Sequence, residues 1–370
     1  KNPLNIWNIP MKKIVIKISS NLLNPDNDID LIEKLAKEII ILKEKNIETI
    51  IVTSGAVMHG LKTLKMNQKP KQLPLLQSCA AIGQIDLMTR YQNTFRKYGL
   101  IPAQILVSNE DFNIRNRYLN LRNMVTELLN IDVIPVFNEN DSVNTKELKF
   151  GDNDQLSSLV TLMMDFDLLI ILTDVNGFYD SDPKSNPDAK LIKEIKQIDD
   201  EILSYAKNSV SQFTTGGMKR KMEASGRVAK AGVDVFIGNG YNVSIEKILN
   251  ESETGTFIRA CKKNIDAKKR WLGFTPSENG KIFIDDGAYL ALSNKHSSLL
   301  ASGITKINGD FKKGSLVSIF NKDTKIAQGL TNYSSKDIEL IKGKKSTEFE
   351  KIIKNCDYEE VIHKNNLYLL

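Results

Sequence analysis

Cysteine and histidine are scarce in this sequence, and neither type is grouped. The 370 residues include only three of each. Because there is no CxxC pair, the cysteines argue against a disulfide framework and favour a reducing compartment, so we expect a cytoplasmic protein. The histidines are too dispersed for a zinc motif. The residues are Cys79, Cys261, Cys356, His59, His296 and His363.

Long apolar runs and a strong excess of one charge are also missing. No apolar run could span a membrane, and the opening KNPLNIWNIP lacks the layout of a signal peptide. We expect the natural start near Met11, with residues 1–10 as an extension or tag. The net charge of +6 arises from 51 basic and 45 acidic residues, which is weak evidence for an anionic partner. With 41% hydrophobic residues, the chain is typical of a soluble globular protein with room for two domains.

Strand-like and helix-like runs alternate through the first two-thirds of the chain. A periodic helix-like stretch covers 30–46, and the short β-branched runs end in small or polar residues. This alternation predicts an α/β fold, a mostly parallel sheet with helices on both faces. The polar strand ends SSN, TSGA, NEND, TDVNG and GNG are therefore expected to share one crevice. The predicted strands are 13–18, 49–55, 101–108, 132–141, 167–177 and 233–240.

Beyond residue 260 the pattern changes. A basic connector at 260–271 indicates a domain boundary. Short strand candidates at 280–288, 303–320 and 325–333 then predict a small β-rich barrel or sandwich, and the charged end from about Ser335 is expected to be a helix plus a tail. We expect a first domain over 11–262 and a second over 278–356.

Two short glycine motifs are better explained as turns. GDFKKGS at 309–315 lacks the lysine that follows the second glycine of a P-loop, and it lies between strands, so we expect a hairpin turn. GNG at 238–240 lacks the third glycine of a dinucleotide-binding loop. TTGGMKRK at 214–221 is stronger, because two glycines open onto a helix whose first turns carry three cations. Phosphate binding and a solvated face are about equally favoured there.

Lys17 and the segment FGDNDQLSSLV (150–160) raise the question of a buried polar site. A lysine inside the apolar run KIVIKI needs an anion unless it lies at an exposed edge. Asp152 and Gln155 have the spacing of a helix capping box. A helix needs only one cap, however, and the surplus of Asn153 and Asp154 favours a functional cluster when it is combined with Lys17, NEND and TGGMKRK.

Several segments together resemble the amino acid kinase family. They are VIKISSN, IVTSGAV, IPVFNENDSV, KFGDNDQLSSLV, LLIILTDVNGFY, DPKSNP and TGGMKRKMEAS, in that order. The tail GKIFIDDGA…SSLLASGITKINGDFKKGSLVSI is similar to a PUA domain. The resemblance implies the amino acid kinase fold and, within that family, ATP-dependent phosphorylation of the L-glutamate side-chain carboxylate to L-glutamyl 5-phosphate, the first step of proline biosynthesis. Siblings that act on aspartate or acetylglutamate are less favoured.

The resemblance also implies roles for individual residues. Lys17 and Lys221 would contact the nucleotide phosphates, and Asp154 would lie between these lysines and orient them. Mg²⁺ would bridge the phosphates of ATP, with no protein group assigned to the metal. Glutamate would be held by Ser54, Asp141 and Asn153, with Asn138 and Asp152 nearby. The nucleotide would be contacted by Lys17, Thr173, Asp174, Thr215, Gly216, Gly217, Met218, Lys219, Arg220 and Lys221.

The first loop departs from the family pattern. The family has glycine where KISSN has Ser19. If that position requires a positive φ, serine fits poorly, whereas in an ordinary conformation its hydroxyl could donate to phosphate. The resemblance further implies inhibition by proline and a homo-oligomer, a dimer or tetramer. An RNA-binding protein that works through the PUA-like domain and has lost kinase activity is the alternative from another class.

Overall fold

The computed structural model describes residues 12–370 except positions 27, 144–152, 184, 209–216, 243, 251–252, 262–266, 275–279, 296 and 354–357. Contacts divide the chain into two compact units. The first comprises Lys1–Asn109 with Arg122–Asn264, and the second Glu110–Leu121 with Ile265–Leu370. No helix among the described residues is long and apolar enough to cross a lipid bilayer.

The first unit is built on an eight-stranded sheet with the order β3-β4-β2-β1-β5-β7-β8-β6. All neighbouring strands pair in parallel except β7 and β8, which are antiparallel. The strands are β1 (Lys13–Ile18), β2 (Glu48–Val52), β3 (Pro102–Val107), β4 (Ile134–Glu139), β5 (Leu168–Thr173), β6 (Glu194–Ile195), β7 (Asp234–Asn239) and β8 (Thr256–Ile258).

Helices connect these strands. They are α1 (Asp28–Glu44), α2 (Ala56–Thr63), α3 (Leu73–Lys97), α4 (Asn109–Asn113), α5 (Arg115–Asn130), α6 (Asn153–Met163), α7 (Asp200–Asn208), α8 (Gly217–Lys230) and α9 (Ile245–Leu249). Since the sheet is mostly parallel and helices intervene, the predicted fold class is confirmed. Two short strands, β6 and β8, were not predicted, because runs of two and three residues give no periodic signal.

The central strand β1 presents different residues to the two faces of the sheet. Ile14, Ile16 and Ile18 belong to a core cluster that also contains apolar residues of α1, α3 and α9. Alternation along a strand places Lys17 on the opposite face, together with Val15. Lys17 is 1% exposed, so the possibility of an exposed edge is wrong for this lysine. β1 is flanked by β2 and β5 and has no free edge.

Two glycines bring α2 and α3 into backbone contact. A Cβ at Gly60 would lie 1.9 Å from the carbonyl oxygen of Cys79, and a Cβ at Gly83 would lie 1.9 Å from that of Ala56. Both distances are impossible for real atoms, so only glycine permits this crossing. The contact fixes the start of α2, which follows directly after Ser54.

The second unit contains a five-stranded sheet with the order β10-β9-β11-β12-β13. Its helices are α10 (Ala267–Phe274), α11 (Asp286–Lys295) and α12 (Ser335–Ile341), and its strands are β9 (Lys281–Ile284), β10 (Ile304–Asn308), β11 (Leu316–Asn321), β12 (Thr324–Leu330) and β13 (Leu367–Leu369). This β-rich unit agrees with the predicted class. The charged tail was expected to hold only a helix, yet β13 pairs with β12 and completes the sheet.

The loop 309–315 is a turn between strands, but the prediction of a hairpin is wrong. β10 and β11, which the loop joins, lie on opposite sides of β9 and pair with it rather than with each other. Gly309 and Gly314 both have positive φ, so they allow the chain to turn as it crosses past β9.

The glycine crossing yields a stability prediction. Gly83→Ala should lower the free energy of unfolding of the first unit by about 3 kcal/mol, because the new methyl group must push two helix backbones apart. This change can be measured by urea unfolding. Gly226→Ala is the matched control, since a Cβ there would meet only the mobile end of the Ile198 side chain at 3.3 Å. Equal stability of the two variants would contradict the proposed backbone contact.

Candidate active site

A buried carboxylate lies between two lysine ammonium groups near the carboxyl end of β1. Asp154 Oδ2 accepts from Lys221 Nζ at 2.8 Å, and Asp154 Oδ1 forms an ion pair with Lys17 Nζ. Asp154 is fully buried, and Lys17 and Lys221 are 1% and 9% exposed. The three residues come from α6, β1 and α8, so this contact joins three elements that are distant in sequence.

The two lysines determine the ionisation of Asp154. Burial by itself would raise the pKa of this carboxyl group, because a charge loses its hydration. The positive charges and hydrogen bonds of Lys17 and Lys221 outweigh burial and hold the pKa well below its ordinary value. Asp154 is therefore ionised at neutral pH. Two ammonium groups against one carboxylate leave the cluster with a net positive charge.

Ser19 adopts an ordinary extended conformation beside this cluster. Its φ is −71° and its ψ is 149°, so the position does not require the positive φ that would favour glycine. The hydroxyl oxygen accepts from Lys17 Nζ at 3.1 Å. The serine at the family's glycine position is thus compatible with the backbone and adds a partner for Lys17.

Side-chain amides and a hydroxyl form a second, uncharged cluster next to Asp154. Asn153 Nδ2 lies 2.8 Å from the carbonyl oxygen of Thr53, 2.9 Å from Ser54 Oγ and 3.0 Å from Asn138 Oδ1. Ser54 and Asn138 follow or end the neighbouring strands β2 and β4. Three predicted substrate residues therefore meet at one edge of the sheet, as expected for the carboxyl ends of parallel strands.

The oxygen of the Asn153 side-chain amide forms no hydrogen bond within this cluster. Asn153 Oδ1 is buried and has no hydrogen-bond partner among the described residues. Unpaired buried acceptors are costly and therefore rare in folded proteins. An acceptor held in this way suits a ligand that brings an N–H or O–H donor.

A pocket lies on the other side of Lys17 and Lys221. It follows the ends of β1 and β5 and reaches the first turn of α8, where backbone N–H groups favour an anion. Its lining includes four of the residues expected to contact a nucleotide, Thr173, Asp174, Gly217 and Met218. Asp174 Oδ2 accepts from Asn21 Nδ2 at 3.1 Å, which fixes one wall of the pocket.

Other predicted residues lie elsewhere or cannot be placed. Lys219 and Arg220 do not line this pocket, and Lys219 Nζ lies 3.6 Å from Glu223 Oε1 on an exposed helix face. Asp141 lies in the turn after β4. Asp152, Thr215 and Gly216 lie outside the described residues, as does the capping interpretation of Asp152. α6 begins at Asn153, whose amide group belongs to the uncharged cluster.

Some lining residues were missed by sequence reasoning. Tyr179 follows TDVNGF and could have been included with that motif, whereas Tyr205 lies in α7 with no distinguishing pattern around it. Gln84 is also missed. This buried residue of α3 accepts from Asn138 Nδ2 at 2.8 Å.

A cluster of ionisable side chains links α2, the helix that follows Ser54, to two neighbouring helices. His59 Nδ1 lies 2.7 Å from Asp86 Oδ2, and His59 Nε2 lies 3.1 Å from Asp28 Oδ2. Arg90 Nη1 donates to Asp28 Oδ1 at 2.7 Å. Burial tends to raise the pKa of Asp86, but His59 and Arg90 hold it below its ordinary value. The cluster therefore ties together α1, α2 and α3.

The sequence of residues 12–239 matches the amino acid kinase family. The chain belongs to the amino acid kinase family. As a member, it is a phosphotransferase, and the buried lysines and adjacent pocket agree with that class. Residues 280–353 match the PUA domain.

Similar proteins extend the match over nearly the whole chain. A relative from Thermoanaerobacter sp., named glutamate 5-kinase, is 40% identical over 364 residues, which cover 97% of this chain and 98% of the relative. One of the same name from Geobacter metallireducens is 41% identical over 365 residues, 97% of this chain and 98% of the relative. A solved carbamate kinase from Giardia lamblia bound to AMP-PNP covers 68% of this chain and 99% of its own, at 17% identity and a TM-score of 0.49.

The buried carboxylate yields a pH-dependent prediction. Asp154→Asn should lower the free energy of unfolding at about pH 7 by roughly 3–5 kcal/mol, since it removes the charge that pairs both lysines. The folded-state pKa of Asp154 is lowered, so its contribution is present above the unfolded value of about 3.9 and is lost as the pH falls through the folded value. The difference between the two proteins should therefore shrink below about pH 4.

Urea unfolding of both proteins between about pH 3 and pH 7 would measure this difference. Asp26→Asn is the control, because Asp26 forms a 2.5 Å pair with Lys62 in which both side chains are exposed. That variant should leave the free energy of unfolding nearly unchanged. A loss of stability in Asp154→Asn that does not depend on pH would contradict the ionised carboxylate.

Proposed function

We propose that this chain transfers the γ-phosphoryl group of ATP to the side-chain carboxylate of L-glutamate. A carboxylate oxygen forms the new bond to phosphorus, the bond to the bridging oxygen breaks, and ADP leaves. The product is L-glutamyl 5-phosphate, the first intermediate of proline biosynthesis. The observation that carries this proposal is the Lys17–Asp154–Lys221 cluster. A pocket lies on one side of it, and the uncharged side chains that would bind the amino acid lie on the other.

The lysines act on the phosphoryl group. Phosphoryl transfer asks a protein mainly for positioning and for positive charge near the transferred oxygens. Lys17 and Lys221 supply that charge from two elements, and Asp154 orients them. Thr173, Asp174, Gly217 and Met218 hold the nucleotide together with the preceding Thr215 and Gly216, whereas Lys219 and Arg220 do not line the pocket.

The uncharged cluster acts on glutamate. Asn153 Oδ1 is a buried acceptor with no partner among the described residues, and it suits the ammonium group of an amino acid. Asp141 adds a carboxylate for the same group, while the hydroxyl of Ser54 can donate to a substrate carboxylate. Asn138 and Asp152 lie near these ligands in the proposal. The names of the relatives favour glutamate over aspartate or acetylglutamate.

Mg²⁺ enters with ATP, bound to its phosphates. The described residues contain no group of three or more His, Cys, Asp or Glu side chains that could hold a metal ion. Mg²⁺ does not require a site made only of protein ligands, because it keeps several of its water ligands and binds the phosphates of the substrate. The ion supplies charge neutralisation at the β- and γ-phosphates when it is bound.

Three further parts of the proposal concern the whole protein. Proline inhibits by competing at the glutamate site, and the chain forms a homo-oligomer, a dimer or tetramer. The kinase domain spans 11–262 and the PUA-like domain 278–356, in keeping with the family matches at 12–239 and 280–353.

Substrate choice is the first test. With MgATP, glutamate should give acyl phosphate that hydroxylamine traps as a hydroxamate, whereas aspartate and acetylglutamate should give much less. Proline in the same assay should raise the apparent KM for glutamate without changing kcat. The absence of any glutamate-dependent product would overturn the proposal, and tight, salt-sensitive RNA binding without turnover would support the RNA-binding alternative.

Removal of one lysine tests the charge cluster. Lys221→Ala should lower kcat by on the order of 10²-fold or more, since it deletes a charge that stabilises the transferred group. Asp154 keeps Lys17 as its partner, so the protein should still fold, with a lower thermal unfolding temperature because a buried carboxylate has lost one of its two partners. Lys230→Ala, an exposed lysine at the end of the same helix, is the matched control. Equal rates for the two variants would show that Lys221 plays no part in the transfer.

A further inference from the structure

A chain of four amide side chains runs from Gln104 in β3 through α3 and β4 to the start of α6. Gln84, in α3, donates from Nε2 to Gln104 Oε1 at 3.3 Å and accepts at Oε1 from Asn138 Nδ2 at 2.8 Å. Asn138 Oδ1 in turn accepts from Asn153 Nδ2 at 3.0 Å. Gln84 and Asn138 are 8% and 1% exposed, so water has little access to the middle of this chain.

Backbone groups fix the direction of three of these amides, Gln84, Asn138 and Asn153. The N–H of Glu139 can only donate, and it donates to Asn138 Oδ1 at 2.9 Å. Asn138 must therefore present Nδ2 to Gln84, and Gln84 must present Oε1 in return. At the other end, the carbonyl oxygen of Thr53 can only accept, so Asn153 presents Nδ2 to it at 2.8 Å. Asn153 Oδ1 then points away from this chain.

We propose that Gln84 is a positioning residue that sets the affinity for the amino-acid substrate. This inference rests on the proposed function, in which Asn153 binds glutamate. Gln84 acts through Asn138, because its Oε1 is the acceptor that holds Asn138 Nδ2 in place. Gly83, the preceding residue, permits the close approach of α3 to α2 on which this placement depends.

Loss of the Gln84 acceptor would be transmitted to Asn153. A buried Asn138 N–H without a partner is costly, so Asn138 would shift to reach another acceptor or a water molecule. A flip of its amide is no remedy, because it would turn Nδ2 towards the Glu139 N–H and towards Asn153 Nδ2, where two donors cannot pair. The shift would move Asn138 Oδ1 away from Asn153 Nδ2, and Asn153 would lose a contact that holds its Oδ1 in position for the substrate. The charged residues Lys17, Lys221 and Asp154 take no part in this chain, so we expect the binding of the nucleotide to be unaffected.

The test compares Gln84→Met with Gln84→Glu by steady-state kinetics. Methionine has a similar length and removes the amide acceptor, so the KM for glutamate should rise about tenfold, the effect of one unsatisfied buried donor. The KM for ATP should stay the same. Glutamate at position 84 keeps an acceptor for Asn138, and exposed Gln104 can rotate to donate to it, so this variant should restore most of the affinity for the substrate.

Gln92→Met, the same change at an exposed position of α3, is the matched control and should behave as the wild type. Two outcomes would overturn the inference alone while the wild-type protein turns over glutamate. One is an unchanged KM for glutamate in Gln84→Met, and the other is an equal rise in both KM values with a lower unfolding temperature, which indicates a merely structural role. A wild-type protein without glutamate turnover would overturn the proposed function itself, and the inference with it.

Discussion

The buried contact of Asp154 with two lysines is the constraint on which the rest of the site depends. A carboxylate removed from water is tolerated only when other groups replace its hydration, and here two ammonium groups do so. The three residues Lys17, Asp154 and Lys221 lie on β1, α6 and α8. All three elements must therefore be correctly placed for any one of these buried charges to be stabilised. The parallel sheet makes this possible by bringing the ends of its strands to one edge.

Two adjacent residues at the start of α6 belong to two different clusters, one neutral and one charged. Successive residues of a helix point about 100° apart, so Asn153 and Asp154 face different neighbours. Asn153 contacts the ends of β2 and β4 through neutral hydrogen bonds, and Asp154 contacts the lysines of β1 and α8. In the proposed function, the site for the phosphoryl donor and the site for the amino acid therefore lie side by side.

Much of the first unit could be predicted from sequence, because its strands are apolar runs that end in polar residues. The same reasoning named five candidate site residues that the structure brings together, Lys17, Ser54, Asn138, Asn153 and Asp154. It could not find Gln84, since a glutamine on a long helix has the same local pattern whether it faces solvent or a buried asparagine. It also could not separate Lys221 from Lys219. Only the rotation of α8 decides that Lys221 reaches Asp154 while Lys219 pairs with Glu223 on the exposed face.

The cluster around Asp154 is charged and the cluster around Asn153 is neutral, and this difference has a physical reason. In the proposed function the phosphate side needs net positive charge, which Lys17 and Lys221 supply. The orienting chain is made of amides, which fix direction without adding charge. Its precision comes instead from backbone groups with a single hydrogen-bonding role, the Glu139 N–H and the Thr53 carbonyl. The close packing of α2 on α3 through Gly60 and Gly83 brings Gln84 within reach of Asn138.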